Sequence, residues 1–280
     1  MTDDIMTTLR DTHGGVVVPT GFDGDDARAF AHGLRLAHAM KTSMSHLHRG
    51  DARSTGGALG VRSVLESWGE LPPGSQPHDV AALGFWVRKL GVHKGDLRHT
   101  VIDFVKSHAL DLLVIGTPRS ALRRLVSGSG PNVKDVDAPT LFLPPDTRDL
   151  VDPKTGETRM RTVVVPVAAA PPADSAVHLT YSLARHLNAE EGRLILLHVG
   201  AESDRPDVQI SEPGGWTREW RVTSGNVAGA ICETARAEDA DAVVMTTTGP
   251  RGLLDALRGS TVERVVADAP CPVLAVPARS

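Results

Sequence analysis

The chain lacks an excess of positive charge: 30 Lys and Arg stand against 34 Asp and Glu, a formal net charge of −4. That balance removes the basic footprint that nucleic-acid binding requires, and DNA binding is disfavoured. It also lacks long apolar runs. The opening stretch from Met1 to His13 carries Asp3 and Asp4 and no apolar core, and no later run approaches membrane length, so neither a secretory signal nor a membrane span is expected. A cytoplasmic protein is the expectation. There are two cysteines, Cys232 and Cys271, without the spacing of a metal or redox site, and they read as free, buried or half-buried thiols. Also missing are G-x-S-x-G, a Walker-type G-K-S/T, paired carboxylates fixed on one element, and a serine with an identifiable base. What remains, at 41% hydrophobic and 23% charged residues, is the composition of a plain soluble protein.

What the chain does have is a copy of itself. Val16-Val17-Val18-Pro19 recurs 147 residues on as Val163-Val164-Val165-Pro166. Gly84, Trp86, Arg88, Val92 and Gly95 recur 130 residues on as Gly214, Trp216, Arg218, Val222 and Gly225, and Asp137-Ala138-Pro139 recurs 131 on as Asp268-Ala269-Pro270. The fall from 147 to 130 places an insertion in copy one ahead of residue 84, and the step to 131 removes one residue from its later loop. Copies of more than 100 residues are domain-sized, so two similar domains in tandem are expected, 1–145 and 146–280.

Each copy opens on an apolar β-branched run too continuous for a one-sided sheet, Val16 to Val18 or Val163 to Val167. A helix follows, capped by Asp23 or Asp26 with Ala27, Phe30, Ala31 and Leu34 on one face, or after Asp174 with Ala176, Thr180, Leu183, Ala184 and Leu187. Further strands are expected at 43–48, 85–92, 111–115 and 140–143, and at 193–199, 216–222, 241–245 and 273–276. Helices are expected at 97–108 and 227–237. Such alternation, with right-handed crossovers, predicts an α/β fold of two Rossmann-like domains, each a five-stranded parallel sheet of order 3-2-1-4-5 with helices on both faces.

Ligands of a doubly wound sheet sit beyond the carboxyl ends of the strands where strand order reverses, here between strands one and four. In copy two this brings Pro166, Val167 and Ala168 opposite Met245, Thr246 and Gly249, with Val199 ending strand two and Gly259, Ser260 and Thr261 closing the far end. Thr246-x-x-Gly249, nine residues, then Gly259-Ser260 is a glycine loop running into a helix start. Amides freed by glycine at such a start form an anion site. Ser260-Thr261-Val262-Glu263 is also a capping box, which by itself accounts for the serine and the glutamate but not for Gly249 and Gly259. Arg251 and Arg258 lie on the same loop and could approach a phosphate from it, though long basic side chains on loops are more often solvated.

These residues resemble the universal stress proteins. The resemblance spans both copies: a Val-Pro ending on the first strand, a Leu-x-His or Leu-His-Val second strand, an Ala-Pro-Cys-Pro-Val-Leu lead into the last, and the G-x-x-G-(nine)-G-S/T motif. Copy two matches that motif at Gly249, Gly259 and Ser260, with Thr246 in place of the first glycine. Copy one keeps Gly116 and Gly128-Ser129 but has Arg119 for the middle glycine and a loop one residue short. Both lack the aspartate usual two residues after the strand-one proline, with Gly21 and Ala168 in its place. The resemblance implies binding of ATP or AMP in domain 2, and pairing through the last strands. On this reading Thr140–Leu143 and Val273–Val276 join as an intramolecular pseudo-dimer, open to further pairing as a homodimer. No lysine clamp or Mg²⁺-holding aspartate stands beside the glycine loop, so Mg²⁺ stays an open question and hydrolysis is expected to be slow or absent.

His46 and His48 share one face of a strand, with His198 at the corresponding place in copy two, and read as histidines near an exposed strand end rather than as a metal site. In the insertion, at about 54–80, Val61, Val64, Leu65 and Trp68 fall at helical spacing before Pro72-Pro73, a stripe expected to pack on its own domain unless it is left exposed for docking. Asp152 to Glu157 reads as a turn, the tip of a hairpin between Arg148 and Arg161. Two functions follow as expectations: a stress-responsive regulatory protein with an adenine nucleotide in copy two, or a nucleotide-free interaction scaffold that keeps only the fold. An adenine-nucleotide hydrolase ranks behind both for want of catalytic groups.

Overall fold

The computed structural model describes residues 13–21, 26–49, 60–92, 97–116, 138–210, 213–247 and 261–278. The chain divides into two compact units, Met1–Gly116 with Val151–Glu157, and Thr117–Leu150 with Thr158–Ser280. The strand Thr140–Leu143, read from sequence as the last of the first copy, is thus grouped with the second unit.

In the first unit, β1 (His13–Thr20) lies between β2 (Met44–Arg49) and β4 (Ala109–Gly116), and β2 pairs in turn with β3 (Val87–Val92), all parallel. The central position of β1 explains its unbroken apolar run: Val16, Val17 and Val18 are fully buried, as they must be on a strand covered on both faces. Helix α1 (Asp26–Met40) lays Phe30, Ala31 and Leu34 against the sheet. It approaches so closely that a Cβ at Gly33 would stand 2.1 Å from Val18 Cγ2, so only glycine fits there.

The insertion forms α2 (Val61–Ser67) and α3 (Pro77–Ala82), and α4 (Leu97–Ser107) follows β3. Its stripe is covered rather than presented. Leu65 is fully buried, and the Trp68 indole Nε1 donates to the Pro153 carbonyl at 3.2 Å while its ring covers Gly156. Asp152 to Glu157 is a turn, closed by Gly156 N to Asp152 O and Asp152 N to Glu157 O, both 2.8 Å, with the Asp152 carboxylate accepting from Lys154 N.

The second unit repeats the plan with β6 (Thr162–Val167), α5 (Asp174–His186), β7 (Gly192–Val199), β8 (Trp216–Thr223), α6 (Val227–Ala237), β9 (Ala242–Thr247), α7 (Thr261–Asp268) and β10 (Val273–Pro277). The parallel pairings run β8 to β7, β7 to β6, β6 to β9 and β9 to β10. β5 (Thr140–Leu143) adds to β10 antiparallel, with Leu141 opposite Leu274. All four β5 residues are buried, which satisfies the edge amides of β10 with an apolar strand. From β6 the chain crosses outward to β7 and β8, then returns through α6 to β9 on the other side of β6. The strand order therefore reverses between β6 and β9, and a crevice opens above their carboxyl ends.

Candidate functional site

A cavity of about 520 Å³ occupies that crevice in the second unit. One wall is the end of β6 and the segment after it, Pro166 to Pro171. The floor comes from Leu197, His198 and Val199 of β7, and the other wall from Met245, Thr246 and Thr247 of β9. Val227 and Ile231 of α6 and Thr261 and Val262 at the start of α7 close it, and Asp204 stands on a short 3₁₀ turn, Glu202–Asp204, beyond β7. The structure thus brings together Pro166, Val167, Ala168, Val199, Met245, Thr246 and Thr261 of the residues singled out from the sequence. Gly249, Gly259 and Ser260, with Arg251 and Arg258, lie outside the described residues, as do Arg119, Gly128, Ser129 and Asp23.

The cavity is mostly apolar with a few polar groups, the usual build of a small-molecule site. Thr247 Oγ1 donates to the Val276 carbonyl at 3.3 Å, and the Val167 carbonyl holds His198 Nδ1 at 3.2 Å. Thr246 Oγ1 is buried with no hydrogen-bond partner among the described residues, and a buried hydroxyl left so invites a ligand atom. Thr261 opens α7, where the first-turn amides have no partner within the helix and the helix dipole favours negative charge. An adenine nucleotide fits this set of residues: its aromatic base suits the apolar walls, and its phosphates suit the α7 start. Sequence reasoning missed Asp204, Val227 and Ile231. The helical positions carry only an apolar pattern, and Asp204 sits in a charged run, Glu202 to Asp207, that looks like solvated surface.

The corresponding end of the first unit is built differently. Thr20 Oγ1 bonds His46 Nε2 at 2.8 Å, and both Asp26 carboxylate oxygens accept from Gly21 N, at 3.0 and 2.9 Å. The expectation of histidines near an exposed strand end is corrected here, since His46 and His48 are buried, 4% and 7% exposed. β2 is flanked by β1 and β3, and Phe30 of α1 packs edge-on to His46 with ring centroids 5.0 Å apart. His198 in the second unit is equally buried, at 7%. Among the described residues no group of three or more His, Cys, Asp or Glu is placed to hold a metal ion, and no helix is long and apolar enough to cross a membrane.

Comparison with known proteins agrees with the fold. The family model described as the universal stress protein family matches residues 14–132 and 205–277. A universal stress protein of Methanocaldococcus jannaschii is 28% identical over 150 residues, covering 44% of this chain and 85% of the relative. Among solved structures, a universal stress protein from Archaeoglobus fulgidus superposes with a TM-score of 0.58 at 14% identity, covering 95% of this chain and 99% of its own. A protein of unknown function from Pseudomonas aeruginosa gives 0.55 at 14% identity, covering 95% and 93%.

Proposed function

Because the chain belongs to the universal stress protein family, a stress-response class, we propose that it is a regulatory protein whose second unit binds an adenine nucleotide, ATP or AMP, and that the bound nucleotide biases its association with partner proteins. The observation that carries this reading is the cavity at the strand-order reversal, whose mostly apolar walls meet Thr246 and the start of α7. None of the described residues lining it is Lys or Arg, so none of these supplies a cation for a leaving phosphate, and hydrolysis is at most slow. The protein acts in the cytoplasm, with homodimer formation as a further mode of assembly.

The test is to purify the protein, denature it, and analyse the small molecules released. Stoichiometric ATP or AMP supports the reading, as does a rise in melting temperature with millimolar nucleotide. Gly259→Val is expected to abolish binding, because a β-branched side chain blocks backbone approach to phosphate. Unchanged affinity in that variant removes the glycine loop from the site. The second reading, a nucleotide-free interaction scaffold, is favoured by the wall itself: Ala168, Ala169, Ala170 and Pro171 offer no side-chain hydrogen bond where the family usually places an aspartate. Protein free of nucleotide, with no thermal response, decides for the scaffold.

A further inference from the structure

A second cavity, of about 360 Å³, lies in the first unit, where the insertion meets the outer strand of the sheet. Val61 and Arg62 at the start of α2 form one side, Val80 of α3 another, and Trp86, Val87 and Lys89 at β3 the third. Its volume is at the small end of the range for ligand sites.

Two cations line this cavity and, among the described residues, no acid does. The carboxylates of the insertion are engaged elsewhere. Glu66 accepts from Ser75 N at 2.9 Å, Asp79 from Gln76 N at 2.7 Å, and Glu70 pairs with Arg35. Arg62 donates to the Ser75 carbonyl at 2.7 Å, which holds the guanidinium in place through a neutral partner and leaves its charge and its other donors available. Lys89 has no ion-pair partner among the described residues. It stands opposite His46 in the β2–β3 register, and its repulsion adds to burial and to His48 in holding that imidazole below its ordinary range. The rest of the lining is apolar: the three valines and the half-buried Trp86 ring.

The second copy shows what the same strand position looks like without the insertion. At the offset of 130 residues Lys89 corresponds to Glu219, whose carboxylate is neutralised by Arg221 at 3.1 Å and Arg193 at 3.8 Å. Copy one instead carries an uncancelled cation under its two added helices, in a chain whose net charge is −4. Fixed positive charge beside apolar walls selects a ligand that is both anionic and apolar. We propose that this cavity binds a small organic anion, an aromatic or aliphatic body bearing a carboxylate or phosphate head, which Lys89 and Arg62 meet while Trp86 and the valines cover the body. The site is separate from the nucleotide cavity of the second unit and does not rest on the nucleotide reading.

Isothermal titration of the full chain with naphthalene-2-carboxylate, 2-naphthyl phosphate and the uncharged 2-naphthamide tests it. At least one of the two acids is expected to bind about ten-fold more tightly than the amide, the combined effect of two ion pairs, and the tighter acid identifies the head group. Lys89→Gln is expected to weaken that acid about five-fold, the upper range of a single exposed pair, and to leave the amide's affinity unchanged. Lys89→Arg keeps the charge and is expected to restore the preference. An unchanged melting temperature without ligand establishes that both variants fold. Equal affinity of the unaltered chain for acid and amide overturns the proposal, as does failure of all three compounds to bind at millimolar concentration. An acid preference that survives Lys89→Gln undiminished places the anion elsewhere and overturns it as well. Each of these outcomes leaves the nucleotide reading standing.

Discussion

Burial holds the His46 imidazole well below its ordinary range, at about 4, with the nearby His48 and Lys89 adding repulsion. The folded protein keeps this ring neutral down to that value, while the unfolded chain takes up the proton near 6.5. Between the two values protons favour the unfolded state, so stability falls as the pH drops from about 6.5 towards 4 and the loss levels off below, reaching about 3 kcal/mol. Urea unfolding at pH 7 and pH 4.5 is expected to show this, and His46→Gln is expected to flatten the dependence while retaining a partner for Thr20 Oγ1. An equally steep dependence in the variant assigns it to other groups. The cysteines follow the same physics in the other direction: burial raises the Cys232 thiol to about 11 and Cys271 to about 12. Neither is expected to react with iodoacetamide at pH 8 in the native protein, and both are expected to react in urea, by intact-mass measurement.

At the scale of elements, an aromatic residue fastens the insertion to the turn Asp152–Glu157. Trp68 donates to Pro153 O and its ring lies where a Cβ at Gly156 would come within 2.6 Å, with Gly156 itself at φ +71°. Trp68→Ala loses the hydrogen bond and the half-buried ring together, an expected loss of about 2–3 kcal/mol in urea unfolding. Gly156→Ala is expected to cost about 1–3 kcal/mol, from the left-handed backbone as well as the clash. A loss below 0.5 kcal/mol in both variants shows that the two elements do not hold one another. The helix α2 was legible from the spacing of Val61, Val64 and Leu65 because helical periodicity is a local property. Its partner was not, since Trp68 and Pro153 are 85 residues apart and nothing local marks the meeting. β5 shows the same division: a short run of three apolar residues after Thr140 identifies a strand, but the antiparallel register of Phe142 opposite Val273 is a property of the pair. Phe142 is fully buried, and Phe142→Ala is expected to cost about 3–5 kcal/mol.

Across the whole chain the duplication is visible as an offset between matching residues, and the crevice follows from it because the ends of parallel strands are set by topology. Pro166, Ala168, Val199 and Thr246 were therefore legible as neighbours in space, each sitting at or just past a strand end. Asp204 was not, because a 3₁₀ turn between strands leaves no periodicity. The difference between the copies also reaches beyond their glycine loops. In the first unit the polar groups at the end of β1 are satisfied internally: Gly21 N by the Asp26 carboxylate, and Thr20 Oγ1 by His46. A ligand there would have to displace bonds already made. In the second unit Thr246 Oγ1 is buried and unpartnered among the described residues, so a ligand atom gains a bond without breaking one. One nucleotide per chain is thus expected, read as a 1:1 ratio in isothermal titration and as a single mass increment in native mass spectrometry. Gly259→Val is expected to remove that increment entirely, whereas Asp26→Ala in the first unit is expected to leave it in place. Two increments on the unaltered chain, or one that survives Gly259→Val, would place a nucleotide in the first unit and contradict the asymmetry.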